Sequence, residues 1–227
     1  MKAVAGVALG ILALVTAALT SAHDLSASDA AFVGQVAGSA PGAFAYLGAK
    51  HMFTGYDHLL FLTGVLFFVY RGRDILLYVT LFTIGHSITL MAGVAFGWQV
   101  NAYAVDAMIG LSVMYKAFEN MGGFRHLFGT EPDSRIAVLV FGLFHGLGLA
   151  TRLQAYAPRD DGLLTNLISF NLGVEAGQLA ALAVILALLL AWRRNPGFSR
   201  QAFAANSLLM CAGFVLTGYQ LAGMAFA

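Results

Sequence analysis

Charged residues are scarce in this chain: only 10% of its 227 residues are Asp, Glu, Lys or Arg, while 59% are hydrophobic. In a soluble domain roughly a quarter of the residues are charged. The mean hydropathy of +0.79 agrees with the low charge in indicating a membrane protein. The chain also lacks any basic cluster or stripe, which excludes nucleic acid as a partner.

Cysteine is represented by Cys211 alone, so an internal disulfide is excluded. Because Cys211 lies in an apolar stretch, we interpret it as a small buried hydrophobic residue. The sequence also has no nucleotide-binding motif, so ATP coupling within this chain is not supported. It has no Gly-x-Ser-Gly sequence, which disfavours a serine protease.

The N-terminal residues have the layout of a secretory signal peptide. Lys2 precedes an apolar run from Ala3 to Leu19, and small residues then lead to a cleavage site after Ala22. We therefore predict a signal peptide at 1–22 and a membrane domain at 23–227. The alternative is an uncleaved first helix.

Later segments of the chain reach the roughly 20 apolar residues that a helix needs to cross a bilayer. The six segments are Thr54–Tyr70, Asp74–Gly97, Val100–Glu119, Arg135–Tyr156, Leu164–Trp192 and Ala202–Ala225. They predict an all-α, polytopic membrane bundle of six transmembrane helices after a cleavable signal peptide. The less hydrophobic stretch Ala31–Ala49 is expected to form an external amphipathic helix that leads into the first span.

The basic residues favour one orientation, because cytoplasmic loops are rich in Lys and Arg. With the mature N-terminus outside, the basic residues on the inner side are Arg71, Arg73, Lys116, Arg125, Arg135, Arg193, Arg194 and Arg200. The outer side keeps only Lys50, Arg152 and Arg159. We therefore expect a multi-pass protein of a bacterial inner (cytoplasmic) membrane with its mature N-terminus on the periplasmic side.

Ionisable side chains occur inside the predicted spans, where they are costly and require a functional explanation. Histidine and carboxylate side chains are ligands of divalent metal ions. At about 1.5 Å per residue, His58, His86 and His145 lie roughly 15–20 Å from the inner membrane boundary, so different helices bring them to similar depths. The predicted metal ligands are His51, Asp57, His58, His86, His145 and Glu175.

Further polar residues are expected to support these ligands rather than to bind the ion. Asn171, Glu175 and Gln178 are spaced so that they form one stripe on the fifth predicted span. Within this stripe, Asn171 and Gln178 are predicted to hydrogen-bond to a ligand or to a neighbouring helix. Asp106, in the outer third of the third predicted span, has either the same supporting role or a position facing external water.

The spacing of His51 and His58 constrains how they bind an ion. On a continuous helix they are roughly 10 Å apart, which is too far for one ion whose ligand distances are about 2 Å. Either Gly55 breaks the helix and brings His51 back towards His58, or the two histidines bind the ion at successive stations. Asp57 and His58 point about 100° apart on a helix, so we expect only one of them to face the core.

These residues resemble the motifs of the HupE/UreJ family, hydrogenase- and urease-accessory membrane proteins that are regarded as nickel permeases. The N-terminal family motif has the form His-Pro-x-x-Gly-x-Asp-His, and Met52 stands at its proline position, while the matching residues are His51, Gly55, Asp57 and His58. Other similar segments are Gly85-His86-Ser87, Phe144-His145-Gly146 and the stretch from Phe170 to Glu175. The resemblance extends over essentially the whole mature chain, is closer to the second HupE/UreJ grouping, and implies six spans and a nickel substrate.

Uptake of a divalent transition-metal ion is the function that these features favour, with nickel first and cobalt next. In this hypothesis His51 and Asp57 capture the ion at the outer mouth. The ion then passes along His58, His86 and His145 to the midplane. There Glu175 exchanges a proton for the metal ion. The alternatives are a zinc-type intramembrane enzyme with an open ligand position and a haem protein with two of these histidines, His86 and His145, as axial ligands. Glycine-rich helices pack within or between chains, which leaves a homo-oligomer open.

Overall fold

The computed structural model describes residues 27–36, 38–156 and 162–226, and the predicted signal peptide at 1–22 lies outside these ranges. Within them the chain folds into helices joined by short connections, as the hydrophobic pattern predicts. The helices are α1 (Ala27–Gln35), α2 (Pro41–Thr54), α3 (Tyr56–Leu66), α4 (Gly72–Phe96), α5 (Ala102–Asn120), α6 (Gly123–Phe128), α7 (Ser134–Tyr156), α8 (Leu163–Arg193) and α9 (Phe198–Phe226).

Among the described residues, four helices are long and apolar enough to cross a membrane: α4, α8, α9 and the part of α7 from Ser134 to Gln154. They confirm the prediction of an all-α, multi-pass membrane protein. The helix α5 coincides with the predicted third span, but it is less apolar because it carries Asp106, Lys116 and Glu119. The total of six spans and the cleavage after Ala22 stay predictions.

The predicted first span, Thr54–Tyr70, contains the last residue of α2, a break at Gly55 and the short helix α3, which ends at Leu66. The helices α2 and α3 meet at Gly55, whose φ of −76° and ψ of 86° lie outside the helical region. The described residues of the expected external helix, Ala31–Ala49, are divided between α1 and α2, and α2 packs lengthwise against the first half of α8, with Ala45 at Gly173 and Ala49 at Gly177. Residues 41–66 therefore form one segment, broken in the middle, that runs alongside α8.

Glycines let helices approach one another backbone to backbone, as small residues do in membrane proteins. The closely packed pairs are α2 with α8, α4 with α7, and α5 with α9. In the α4–α7 pair, a side chain at Gly146 would collide with the carbonyl oxygen of His86. In the α5–α9 pair, a Cβ at Gly213 would lie 2.6 Å from the backbone nitrogen of Met114. These contacts leave no room for a larger residue and fix the helix pairs in register.

Arg193, at the end of α8, holds the C-terminal end of α3. Its guanidinium donates hydrogen bonds to the carbonyl oxygens of Leu66, Phe67 and Val69. Carbonyls at this end of a helix have no partner within the helix, so Arg193 satisfies them. The guanidinium also lies 4.3 Å from the centroid of the Tyr70 ring. The short helix α3 is thereby tied to the end of α8.

The outer surface of the bundle is apolar. Leu172, Val184, Phe203 and Phe214 are each more than half exposed, as expected for side chains that contact lipid. Cys211 is also exposed, so its interpretation as a buried residue is wrong. In a membrane helix, apolar neighbours in the sequence indicate contact with lipid as readily as burial in a protein core.

Candidate metal site

The break at Gly55 brings His51 next to His58. The centroids of the two imidazole rings lie 5.2 Å apart. Of the two arrangements that the spacing left open, the structure has the broken helix. A side chain at position 55 has no room, because its Cβ would lie 2.6 Å from Nδ1 of His58. Glycine at this position therefore lets the two rings meet.

His58 lies at the centre of a cluster of side chains from four helices. Its ring centroid lies 4.7 Å from that of His145 on α7 and 6.5 Å from that of His86 on α4. Ligand atoms of Asp57, His58 and His145 all lie within 4.8 Å of one another. That separation is close to the span of a metal ion with two bonds of about 2 Å. We call these five buried residues the histidine cluster: His51, Asp57, His58, His86 and His145.

Asp57 and His58 are both buried, so the expectation that only one of them faces the core is wrong. The reason is that α3 is short and enclosed, with buried residues on every side of the helix. Asp57 lies in the first turn of α3, and its Oδ1 is 3.2 Å from Nδ1 of His58. Two successive residues therefore contribute to the same cluster.

The ring of His145 is oriented by a hydrogen bond within its own helix. Its Nδ1 lies 2.7 Å from the carbonyl oxygen of Phe141. Since a carbonyl oxygen only accepts hydrogen bonds, Nδ1 carries the proton and Nε2 keeps its lone pair. This Nε2 is buried and has no hydrogen-bond partner among the described residues. Proteins commonly orient a metal-binding histidine by a hydrogen bond to its other nitrogen.

His86 is the most deeply buried member of the histidine cluster, with 0% of its surface exposed. Within the described part of the chain, neither of its ring nitrogens has a hydrogen-bond partner. The ring stacks on Phe82, with centroids 6.2 Å apart and planes 21° apart. A buried polar ring without a partner is unfavourable unless a ligand occupies it. This observation fits a metal ligand better than a purely structural histidine.

The histidine cluster lies at mid-depth in the bundle. Ala49 packs at Gly177, close to the middle of α8, and His51 follows it in the next half-turn of α2. His51 and Asp57 therefore lie deeper than the outer mouth at which the sequence predicts them. The difference arises because α2 enters the bundle instead of lying outside it.

Comparison with models of protein families identifies the family of the chain. The family model described as HupE / UreJ protein, of the second grouping, matches residues 27–227. The chain belongs to the HupE/UreJ family. This family comprises nickel and cobalt transporters, and the resemblance inferred from the motif at His51–His58 is confirmed. A search of curated proteins and of solved structures finds no match.

In this HupE/UreJ chain the predicted polar stripe joins α8 to α4. Thr83 donates a hydrogen bond to Gln178 Oε1, and Ser87 donates one to Asn171 Oδ1, both at 2.9 Å. Glu175 lies between these two contacts along α8, but its side chain is exposed. Among the described residues, Glu175 is thus the one predicted ligand that lies at the edge of the α4–α8 contact instead of inside the histidine cluster.

Asp106 does not face external water. It is buried and forms an ion pair with Arg152 of α7. The pair connects α5 to α7 and accounts for the charge of an acidic residue inside the bundle. The sequence gives no sign of this pairing, because the two residues are far apart in the chain and meet only in the folded HupE/UreJ bundle.

A second ion pair, which the sequence did not predict, joins Lys116 and Glu119 of α5. Lys116 Nζ lies 2.6 Å from Glu119 Oε2, and their side chains are only 8% and 13% exposed. Nearby, Asn120 Nδ2 donates hydrogen bonds to the Gly64 carbonyl oxygen at 2.8 Å and to Asn206 Oδ1 at 2.9 Å. By its charge, Lys116 indicates the inner side of the membrane. It also lies within a predicted span, where a charge is costly, and this position in the sequence indicates a further role.

Proposed function

We propose that the chain transports a divalent transition-metal ion, nickel first and cobalt next, across the bacterial cytoplasmic membrane, with the mature N-terminus on the periplasmic side. One observation carries the proposal: side chains from four helices of a HupE/UreJ protein converge in the buried histidine cluster at mid-depth. Imidazole nitrogen suits nickel and zinc, so the ligand type supports a transition metal over magnesium or calcium.

The members of the histidine cluster have different roles in this proposal. His145 and His86 supply neutral nitrogen ligands, and Asp57 supplies negative charge that offsets the loss of the ion's water shell. Because His51 and His58 lie on opposite sides of Gly55, a change of the angle at Gly55 alters their separation. In this proposal such a change releases the ion, which is the substrate.

Polar residues outside the histidine cluster hold neighbouring helices together. Asn171 and Gln178 hold α8 in register with α4, and Asp106 holds α5 to α7. In this proposal Glu175 exchanges a proton for the metal ion. Its exposed carboxylate at the edge of the α4–α8 contact supports a role in coupling more than one in binding the ion.

Nickel uptake by whole cells and metal retention by the purified protein together test the proposal. His58→Ala should remove both retention and uptake, because His58 touches His51, His86 and His145. Glu175→Gln should lower uptake and leave retention unchanged. His126→Ala is the matched control, since His126 is exposed on α6. Unchanged uptake in both His58→Ala and Glu175→Gln would contradict the assigned roles.

A zinc-type intramembrane enzyme is the second candidate. The group Asp57, His58 and His145 supplies three ligand atoms within 4.8 Å of one another. Catalytic zinc sites have three protein ligands and a water in the fourth position. Elemental analysis before and after mild chelation separates the two functions. An ion that survives chelation favours the enzyme, whereas a transporter must release its ion.

A further inference from the structure

The ion pair of Lys116 and Glu119 is a polar feature of the bundle that lies outside the histidine cluster. Both residues lie on α5, and Ser134 of α7 donates a hydrogen bond to the second carboxylate oxygen of Glu119. Charged side chains within membrane helices are costly and usually belong to a substrate or ion pathway. The pair is therefore a candidate for a second station on the path of the ion.

The pair lies beside the same short helix that carries the histidine cluster. A Cβ at Gly64 of α3 would lie 3.2 Å from Cγ of Lys116, so the lysine stem passes directly over this glycine. At about 1.5 Å per residue, Gly64 lies about 9 Å along α3 from His58. Moving along α3 from Gly55 towards Arg193, the histidine cluster comes first and the ion pair second.

Phenylalanine side chains separate the two polar groups. The ring centroid of Phe61 lies 5.7 Å from that of His145 and 5.8 Å from that of Phe141. Phe141 in turn lies 5.3 Å from Tyr115, the residue that precedes Lys116. An ion that leaves the histidine cluster in this direction meets an apolar layer and then a carboxylate.

We infer that Glu119 is a second binding station for the transported cation and that the Lys116 ammonium occupies this station between transport events. The inference rests on the proposed function. Glu119 and Ser134 offer oxygen ligands, which hold nickel less strongly than imidazole nitrogens do. An ion that displaces Lys116 would thus leave a tight nitrogen site for a weaker oxygen site, which favours release.

Removal of the internal cation tests this station without any transport assay. In Lys116→Gln, Glu119 has lost its ammonium partner, and we expect the purified protein to bind one more nickel ion than the wild type in equilibrium dialysis. The double variant Lys116→Gln/Glu119→Gln should lose the additional ion. Lys116→Arg keeps a positive charge at the station and should bind as the wild type does. A folded Lys116→Gln protein without an additional ion would overturn the inference.

Glu119→Gln provides a second measurement if Lys116→Gln does not fold. In proteoliposomes loaded from outside, it should slow delivery of nickel into the lumen by about tenfold or more, since even side chains that only support a metal ligand are worth that much. Delivery at the wild-type rate would also overturn the inference. Wild-type protein that neither retains nor delivers nickel would instead contradict the proposed function, so the two failures are distinguishable.

Discussion

At the scale of single residues, the candidate site depends on which ring nitrogen each histidine presents. The hydrogen bond from His145 Nδ1 to the Phe141 carbonyl leaves Nε2 for a metal ion, and the neighbouring carboxylate of Asp57 plays the corresponding part for His58. The identity of these residues was predictable from the sequence, because ionisable groups in apolar segments are rare. Their orientation was not, because it depends on contacts between helices.

His145→Ala should weaken nickel binding by at least about 10–100-fold, since even outer-shell groups of metal sites are worth that much. The variant removes one of the three ligands whose atoms lie within 4.8 Å of one another. Isothermal titration of the purified protein measures the affinity. An unchanged affinity would remove His145 from the site, and the exposed His126→Ala serves as the control for handling of the variant.

At the scale of helices, the long apolar segments were predictable and the broken segment was not. A run of apolar residues specifies a membrane helix by its length alone, so α4, α7, α8 and α9 follow the predicted spans closely. The sequence allowed either a break at Gly55 or a continuous helix. The break depends on the packing of α2 against α8, which involves residues more than a hundred positions away in the chain.

Gly55→Ala should weaken metal binding while the bundle stays folded. The added methyl group would lie 2.6 Å from Nδ1 of His58, so the imidazole must leave its present position in the histidine cluster. Gly42→Ala on α2 is the matched control, because a Cβ there meets no atom within 4 Å among the described residues. Metal retention and helix content by circular dichroism should separate the two variants. Equal retention in both would show that Gly55 does not position His58.

Gly146→Ala should destabilise the contact between α4 and α7. A Cβ at this position collides with the carbonyl oxygen of His86, and overpacking of this kind costs roughly 1–3 kcal/mol. Thermal unfolding in detergent should show a lower midpoint than for Gly218→Ala, where the described residues leave open space. Equal midpoints would show that the methyl group added at Gly146 does not destabilise the contact between α4 and α7.

At the scale of the whole molecule, the basic residues and the glycine contacts give consistent directions for the helices. In the α2–α8 and α4–α7 pairs, the residue numbers of the contacting residues increase together along both helices, so the two helices of each pair are parallel. In the α5–α9 pair they run in opposite order, because Gly110 meets Thr217 whereas Gly223 meets Tyr103. These directions agree with the predicted topology, in which Arg71, Arg73 and Arg125 share one side.

Reporter fusions test this topology. A phosphatase fused at the C-terminus should be active in the periplasm, because an even number of crossings returns the chain to the side of its mature N-terminus. A fusion after Gly129, in the connection between α6 and α7, should be inactive as phosphatase and active as a cytoplasmic reporter. A cytoplasmic C-terminus would contradict the predicted orientation or the number of crossings.

The grip of Arg193 on the end of α3 has a mechanical consequence. The part of the broken segment after Gly55 is anchored to the end of α8, whereas α2 is packed on the first half of the same helix. The helices α2 and α3 are thus attached to different parts of α8 and are joined to each other at Gly55. A bend of α8 between Gly177 and Arg193 would therefore change the angle at Gly55 and, with it, the distance between His51 and His58.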